Sequence, residues 1–224
     1  MPPIVAFNEP TFAARLTGLA ADGRRRIIDA WCGAFTDKLS SMKITIVTTG
    51  GTISKTFNEA DGSLRNDRPV IETILAGLRL PDLAVSYRYV LSKDSLELTD
   101  EDRRLIVETV RQVLPESDAV VIAHGTDTLS VTGEMLHQEF PNVPVPVILT
   151  GAMRPHEFRD SDAQQNVTEA LLACRLAPPG VYVAMHNRLL RFPGVGKDRT
   201  SRTFVKNPSR VREEATRAGS ASDR

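Results

Sequence analysis

The sequence predicts an α/β protein: three layers, with a mainly parallel sheet between helices. Two observations carry that expectation. Five short apolar runs rich in β-branched residues recur along the middle of the chain, and the stretches between them repeat their apolar residues every three to four positions. Strand and helix in alternation imply parallel pairing through right-handed crossovers, which covers both faces of the sheet with helices. Ligands of such sheets bind at the carboxyl ends of the strands, so the residues just after each run are where a site is expected.

The elements follow in order. Residues 1–41 form an extension in which Leu16, Leu19, Ile27, Ile28, Trp31 and Phe35 fall loosely at helical spacing. The Arg24-Arg25-Arg26 triplet lies between Asp22 and Asp29 and reads as a solvated helix face. KITIVTT at 43–49 is the first strand. Pro69 can open a helix over 69–79, with Val70, Ile71, Ile74, Leu75 and Leu78 as its apolar face. AVSYRYVL at 84–91 is the second strand. Thr99 followed by Asp102 resembles a capping box, and Leu105, Ile106, Val110 and Val113 continue the stripe of the helix it would start. DAVVIAHG at 118–125, a helix over 128–139, VPVILTG at 145–151, a helix over 162–176 and GVYVAMH at 180–186 complete the series. The runs do not alternate strictly, as expected of strands buried on both faces. From 207 to 224 the chain has one large aliphatic residue and no period, the composition of a disordered tail.

Composition removes several function classes. The 28 basic residues are matched by 28 acidic ones, which leaves no electrostatic footprint for nucleic acid or an anionic membrane. With 224 residues, 41% of them hydrophobic, the chain can bury a core without disulfides or a structural metal. Cys32 and Cys174 have no partner at CxxC spacing, so no zinc site or disulfide framework is written here, and a reducing compartment suits the chain. No run of about 18 apolar residues could span a bilayer. Asn8, Glu9 and Pro10 interrupt the short apolar stretch at the N-terminus, so a secretory signal is not expected and a cytoplasmic protein is.

The strand ends carry Thr48-Thr49-Gly50-Gly51-Thr52-Ile53-Ser54, Ser92-Lys93-Asp94-Ser95, His124-Gly125-Thr126-Asp127-Thr128 and Thr150-Gly151-Ala152-Met153-Arg154-Pro155. Hydroxyls can attack or hydrogen-bond, glycines let backbone N–H groups approach closely, and Asp127 can hold an ammonium, so a small polar substrate fits this set. Gly50-Gly51 lacks both the GxGxxG spacing and the GK[ST] ending of a phosphate cradle. A threonine nucleophile needs a base at neutral pH, and Lys197 in FPGVGKDRT could act as one if desolvated, with Asp127 to orient it. By spacing alone Lys197 reads first as a solvated charge, and Thr52 and Ser92 as turn hydroxyls. His124 is expected to be structural, Met135 and Met153 to be core, and Arg154 to hold its loop through a carboxylate such as Asp162.

Taken together, the motifs around Thr52 and around Thr126-Asp127, followed by Thr150-Gly151-Ala152-Met153-Arg154-Pro155, resemble the bacterial-type L-asparaginase/glutaminase family. Asp162 and Asn166 fall on family positions, and Met185 stands before Lys197 as the family's methionine stands before its catalytic lysine. KDSLELTDEDR at 93–103 resembles the short-chain, single-domain branch. The resemblance implies an asparaginase-like catalytic domain over 42–206 with the fold of the family's N-terminal domain. It implies Thr52 as first nucleophile, and Thr126, Lys197 and Asp127 as a second catalytic cluster. Asp127 would also take the substrate α-ammonium, Ser92 the α-carboxylate, and the backbone of Thr126 and Ala152 the amide being cleaved.

Three departures accompany the resemblance. The family's loop after the nucleophile carries a tyrosine that helps activate it; here 53–69 has none, the nearest aromatic is Phe57, and Ser54 or Lys55 would have to serve. Lys93 replaces a glutamine of long-chain members, and its cation could attract the α-carboxylate. Long-chain members also have a second domain of about a hundred residues, a domain-sized unit, that follows this one. The leading expectation is an L-asparagine amidohydrolase with activity on glutamine as well, needing no metal or other cofactor and forming a homodimer or larger homo-oligomer. A non-catalytic amino-acid-binding module is the alternative. An amidotransferase component ranks third, for want of a basic surface or accessory domain.

Overall fold

The computed structural model describes residues 41–65 and 70–206. The N-terminal extension, the expected helix start at Pro69 and the tail at 207–224 lie outside the described residues. In chain order the elements are β1 (Met42–Gly50), β2 (Thr56–Asn58), β3 (Ser63–Arg65), α1 (Val70–Ala76), β4 (Leu83–Lys93), α2 (Asp100–Val113), β5 (Ala119–Ala123), α3 (Leu129–Glu139), β6 (Pro146–Thr150), α4 (Ala163–Leu176), β7 (Gly180–Met185), β8 (Arg188–Arg191), β9 (Val195–Asp198) and β10 (Thr203–Lys206).

Six strands form one sheet in the order β4-β1-β5-β6-β7-β8. Every pair is parallel except β7–β8. The inner strands are buried along their length, because each supplies alternate side chains to two cores. On one face Ile44, Ile46, Val121 and Ile148 pack with α1 and α4 through Ile71, Ile74, Val167 and Leu171. On the other, Val47, Val120, Ile122 and Leu149 pack with α2 and α3 through Ile106, Val110, Leu129 and Leu136. Full burial of each such side chain stabilises the fold by about 1.5–3 kcal/mol. Helix, sheet and helix are therefore the three layers expected from the alternation of patterns.

Two local readings are corrected and a third holds. β4 is an edge strand with alternating exposure, not a strand buried on both faces: Leu83, Val85 and Tyr87 are partly covered while Ala84, Ser86 and Arg88 face solvent. α1 ends at Ala76, and the N–H of Gly77 turns back to the carbonyl of Ile74 at 3.1 Å, so the helix is shorter than 69–79. The capping box on α2 is present with Asp in place of Glu: Asp102 N–H donates to the Thr99 hydroxyl at 3.2 Å, and the Thr99 N–H donates to the Asp102 carboxylate at 2.9 Å. Among the described residues no helix is long and apolar enough to cross a membrane.

Five short strands lie outside the expected series. β2 and β3 form one hairpin, and β9 and β10 another. β8 turns back on β7 through His186 and Asn187, both at positive φ (53° and 59°), as a tight two-residue hairpin turn requires.

Candidate active site

The ends of β1, β4, β5 and β6 meet at backbone contact, and glycines make that possible. A Cβ on Gly51 would lie 2.4 Å from the Cα of Gly125, and Gly51 holds φ at +80°, where other residues are strained. A Cβ on Gly125 would lie 2.6 Å from the Cβ and Oγ of Ser95. The N–H of Gly51 donates to the carbonyl of Lys93 at 2.9 Å. The turn carrying Thr52, the segment after β4 and the segment carrying Thr126 and Asp127 are thus locked against one another.

Thr52 opens a short 3-10 turn, Thr52–Ser54, pinned by the buried Ile53. The turn closes with the N–H of Lys55 on the Thr52 carbonyl at 3.2 Å. Across the rim, the ammonium of Lys197 donates to the Thr126 hydroxyl at 2.8 Å and to the Asp127 carboxylate at 2.9 Å. Thr126 is buried, whereas the Lys197 and Asp127 side chains keep 17% and 31% of their exposure. Lys197 comes from β9, whose partner β10 places the buried Phe204 opposite it. The hairpin is held to α3 at two points. The carboxylate of Glu134 accepts the N–H of Gly194 at 2.6 Å, and the ring of Phe192 lies where a side chain on Gly133 would otherwise be.

The Ala152 loop has its own brace. Asp162 accepts the N–H groups of Met153 (3.0 Å) and Arg154 (3.1 Å), the side-chain N–H of Asn166 (2.8 Å) and the ring N–H of His186 (2.8 Å). Burial pushes this carboxyl up, but the four donors outweigh it and hold it below the usual carboxylate value. Asn166 also donates to the Gly151 carbonyl at 2.9 Å and accepts the backbone N–H of His186 at 3.1 Å. The loop carrying the fully buried Ala152 is therefore rigid. Asp162 does this through backbone N–H groups, while the Arg154 guanidinium holds its loop through another carboxylate, that of Asp160. His124 is structural: its Nδ1–H donates to the Gly125 carbonyl at 2.8 Å, and its Nε2 accepts the Thr132 hydroxyl at 2.9 Å. Burial lowers its pKa to about 4, so the ring is neutral.

Two expected head-group residues lie at the end of β4. The ammonium of Lys93 is held by both carboxylate oxygens of Asp102, at 2.9 and 2.8 Å, which places its charge at the cap of α2. Ser92 is exposed on β4, and the hydroxyl packed against Gly125 is that of Ser95. Sequence reasoning missed Ser95, and missed the ion pair between Lys55 and Asp94 (2.6 Å), which ties the Thr52 turn to the segment after β4. Lys55 and a hydrogen bond from the Leu96 N–H hold the Asp94 carboxyl below its ordinary value. Phe57 is 55% exposed on the β2–β3 hairpin, and its N–H donates to Glu157 at 2.7 Å.

Comparison with known proteins agrees with this architecture. The family model described as asparaginase, N-terminal, matches residues 43–209. An L-asparaginase of Thermococcus kodakarensis is 37% identical over 159 residues, covering 70% of this chain and 48% of that protein. A component of the glutamyl-tRNA(Gln) amidotransferase of Methanobrevibacter smithii is 31% identical over 157 residues, covering 67% of this chain and 35% of that protein. Among solved structures, the thermostable L-asparaginase from Thermococcus kodakarensis superposes with a TM-score of 0.67 at 32% identity, covering 74% of this chain and 51% of that one. L-asparaginase I from Vibrio cholerae superposes with a TM-score of 0.62 at 27% identity, covering 75% and 52%. The chain spans about half the length of the asparaginases it matches. With motif, sheet order and family match running over the same residues, the chain belongs to the asparaginase family.

Proposed function

We propose that the protein hydrolyses the side-chain amide of L-asparagine to L-aspartate and ammonia, with L-glutamine as a second substrate. The observation that carries this reading is the Lys197–Thr126–Asp127 cluster, held at the same strand-end rim as the Thr52 turn. Thr52 attacks the amide carbon and forms an ester with the substrate acyl group. The rigid Ala152 loop and the backbone at Thr126 hold the amide, and ammonia leaves with the proton lost by Thr52. Lys197 and Thr126 then position the water that splits the ester, its proton passing to the Thr52 oxygen as that oxygen leaves, while Asp127 holds the substrate α-ammonium. Fixed dipoles and charges of this kind stabilise the oxyanion of each step without reorganising. Ser92 lies beside the head group in this reading, and Lys93 contributes through the backbone carbonyl that fixes Gly51. No metal or other cofactor takes part. The protein works as a cytoplasmic homodimer or larger homo-oligomer.

The similarity to the tRNA-dependent amidotransferase component supports a second reading, in which the same chemistry delivers ammonia to a partner protein's substrate. Phe57, in place of the family's loop tyrosine, supports a third, a pocket that binds amino acids without turning them over. Ammonia release from L-asparagine and L-glutamine, measured beside Thr52→Ala, Thr126→Ala and Lys197→Ala, separates the three. Hydrolysis of free asparagine abolished by each substitution fits the leading reading. Release from glutamine alone favours the amidotransferase. A melting temperature raised by aspartate without any ammonia favours the binder.

A further inference from the structure

The loop after β6 holds Ala152 between two committed neighbours. Before it, the Gly151 carbonyl accepts the side-chain N–H of Asn166 at 2.9 Å. After it, the Met153 N–H donates to both carboxylate oxygens of Asp162, each at 3.0 Å. Asp162 and Asn166 stand one turn apart at the start of α4, so both neighbours are turned toward that helix. A trans peptide bond points its carbonyl and its N–H in opposite directions. The N–H of Ala152 shares a peptide unit with the Gly151 carbonyl, and the carbonyl of Ala152 shares one with the Met153 N–H. Both are therefore turned away from the two α4 side chains.

The side they face is that of β5. The Thr150 carbonyl accepts the His124 N–H at 2.9 Å, across the gap between β6 and β5. The Gly151 carbonyl faces the other way, to Asn166, and the next carbonyl of an extended chain faces β5 again. Thr126 stands there: a Cβ placed on Gly151 would lie 3.4 Å from its Cγ2. A carbonyl at that place accepts a hydrogen bond from the N–H2 of a primary amide, whereas an ester, a ketone or an ionised carboxylate has no donor to give it.

The direction of the Ala152 carbonyl depends on the Asp162 carboxylate, and that carboxylate is itself fixed. Its Oδ1 accepts the Arg154 N–H at 3.1 Å, and its Oδ2 accepts the Asn166 side chain and the His186 ring, both at 2.8 Å. Burial opposes the charge on Asp162, and these donors outweigh burial. His186 is anchored in turn, because its backbone N–H donates to the Asn166 side-chain oxygen at 3.1 Å. The turn between β7 and β8 thus steadies a peptide plane two strands away.

We propose that Asp162, steadied by His186, is a positioning residue: by holding the Met153 N–H it aims the Ala152 carbonyl at the amide N–H2 of the substrate, so that the site selects an amide. The proposal rests on the amino-acid amide reading above, and adds to it a residue that touches no substrate atom and acts through Ala152.

The test compares L-asparagine with its methyl ketone analogue, in which a methyl group replaces the amide N–H2. Affinities are measured by titration calorimetry on the full chain carrying Thr52→Ala, where neither ligand is consumed. An acceptor left unpaired on binding the ketone predicts a preference for asparagine of about 10–100-fold. Adding Asp162→Ala should bring the two ligands within about threefold. Adding His186→Leu should cut the preference by at least about threefold, and His186→Gln, which still donates and shares the same positive φ, should keep it. A loss of stability alone weakens both ligands together, so equal weakening in Asp162→Ala would make Asp162 a structural residue and overturn the proposal. The absence of any preference in the chain with Asp162 intact would overturn it as well. Should Asp162→Ala fail to fold, the His186 pair decides, and an equal preference in His186→Leu and His186→Gln overturns the proposal. If neither ligand binds at millimolar concentration, the amino-acid amide site falls and this assignment with it. If the preference and its response to Asp162 are present but the chain with Thr52 intact releases no ammonia, the hydrolase reading alone falls.

Discussion

The ammonium of Lys197 lies 2.8 Å from the hydroxyl of Thr126, a residue 71 positions earlier in the chain. The first comes from a small hairpin outside the main sheet, the second from the buried end of its central strand. In the proposed reaction, their contact is where the scaffold acquires a charged group beside the attacking water.

Lys197→Met should lower kcat by about 10²–10⁴, the usual contribution of a positioned acid–base group. KM should change little, since the methylene stem remains. The ion pair with Asp127 is partly exposed, so the melting temperature should move by no more than a few degrees. Steady-state kinetics beside a melting curve checks both. A large loss of stability with a proportionate loss of activity would make Lys197 a structural residue.

Glu134 should matter although it lies outside the Lys197–Thr126–Asp127 cluster. Its carboxylate holds the Gly194 N–H, three residues before Lys197, and its second oxygen is buried without a partner among the described residues. Glu134→Ala should cost about 1.5–3 kcal/mol, the range for a hydrogen bond to a charged group, and should lower kcat more than it raises KM as the hairpin loosens. Glu134→Gln, which keeps an acceptor, should recover most of both. Chemical denaturation and kinetics on the two variants give the comparison.

How far the sequence revealed these features depended on what produced them. β5, β6 and β7 were legible because burial on both faces leaves almost nothing polar within them, and β1 because its buried polar residues are β-branched threonines. β4 hid its alternation, because Tyr87 and Tyr89, stacked at 6.3 Å between ring centroids, look apolar in a string while Tyr89 is largely exposed. β8 went unseen because its turn is His186-Asn187, where the common signal would be Asn-Gly. The grouping of Thr126, Asp127 and Lys197 was readable only with the family motif, since nothing local announces a contact over such a separation. The role of Ser95 and the pairing of Lys55 with Asp94 were missed for a different reason. Ser95 matters through a side chain that Gly125 lacks, and Lys55 through a partner on another loop, neither of which leaves a periodic mark.

Gly51→Ala should be severely destabilising. The new Cβ would meet the Gly125 backbone at 2.4 Å, from a residue already at φ +80°. A loss of more than about 2 kcal/mol is expected, as for other strained and overpacked positions. Gly196→Ala is the control for stability, because a Cβ there meets nothing within 4 Å, and a change within about 0.5 kcal/mol is expected. Denaturant midpoints decide the comparison, and equal midpoints would show that the strand ends are not locked.

His124 predicts an acid limb in stability. Its folded pKa is lowered by burial from 6.5 to about 4, so between those values the unfolded chain binds a proton that the folded one refuses. Stability is complete above pH 6.5 and declines as pH falls toward 4, by up to about 3 kcal/mol at one pKa unit per 1.36 kcal/mol. His124→Gln, which still donates and accepts, should lose less stability across the same window. Melting temperatures from pH 7 to pH 4 give the slopes, and parallel slopes would remove His124 as the cause.

The placement of Lys197 on β9 has a consequence for the order in which the protein is made. The ribosome delivers β1, β4, β5 and β6 well before residue 197, so the sheet and the groove at its edge can assemble while the chain is still being synthesised. Among the described residues β9 pairs only with β10, which ends at Lys206. A nascent chain could therefore present a folded groove for a time before it holds the ammonium opposite Thr126, and the chemistry would switch on only when that last hairpin emerges and docks.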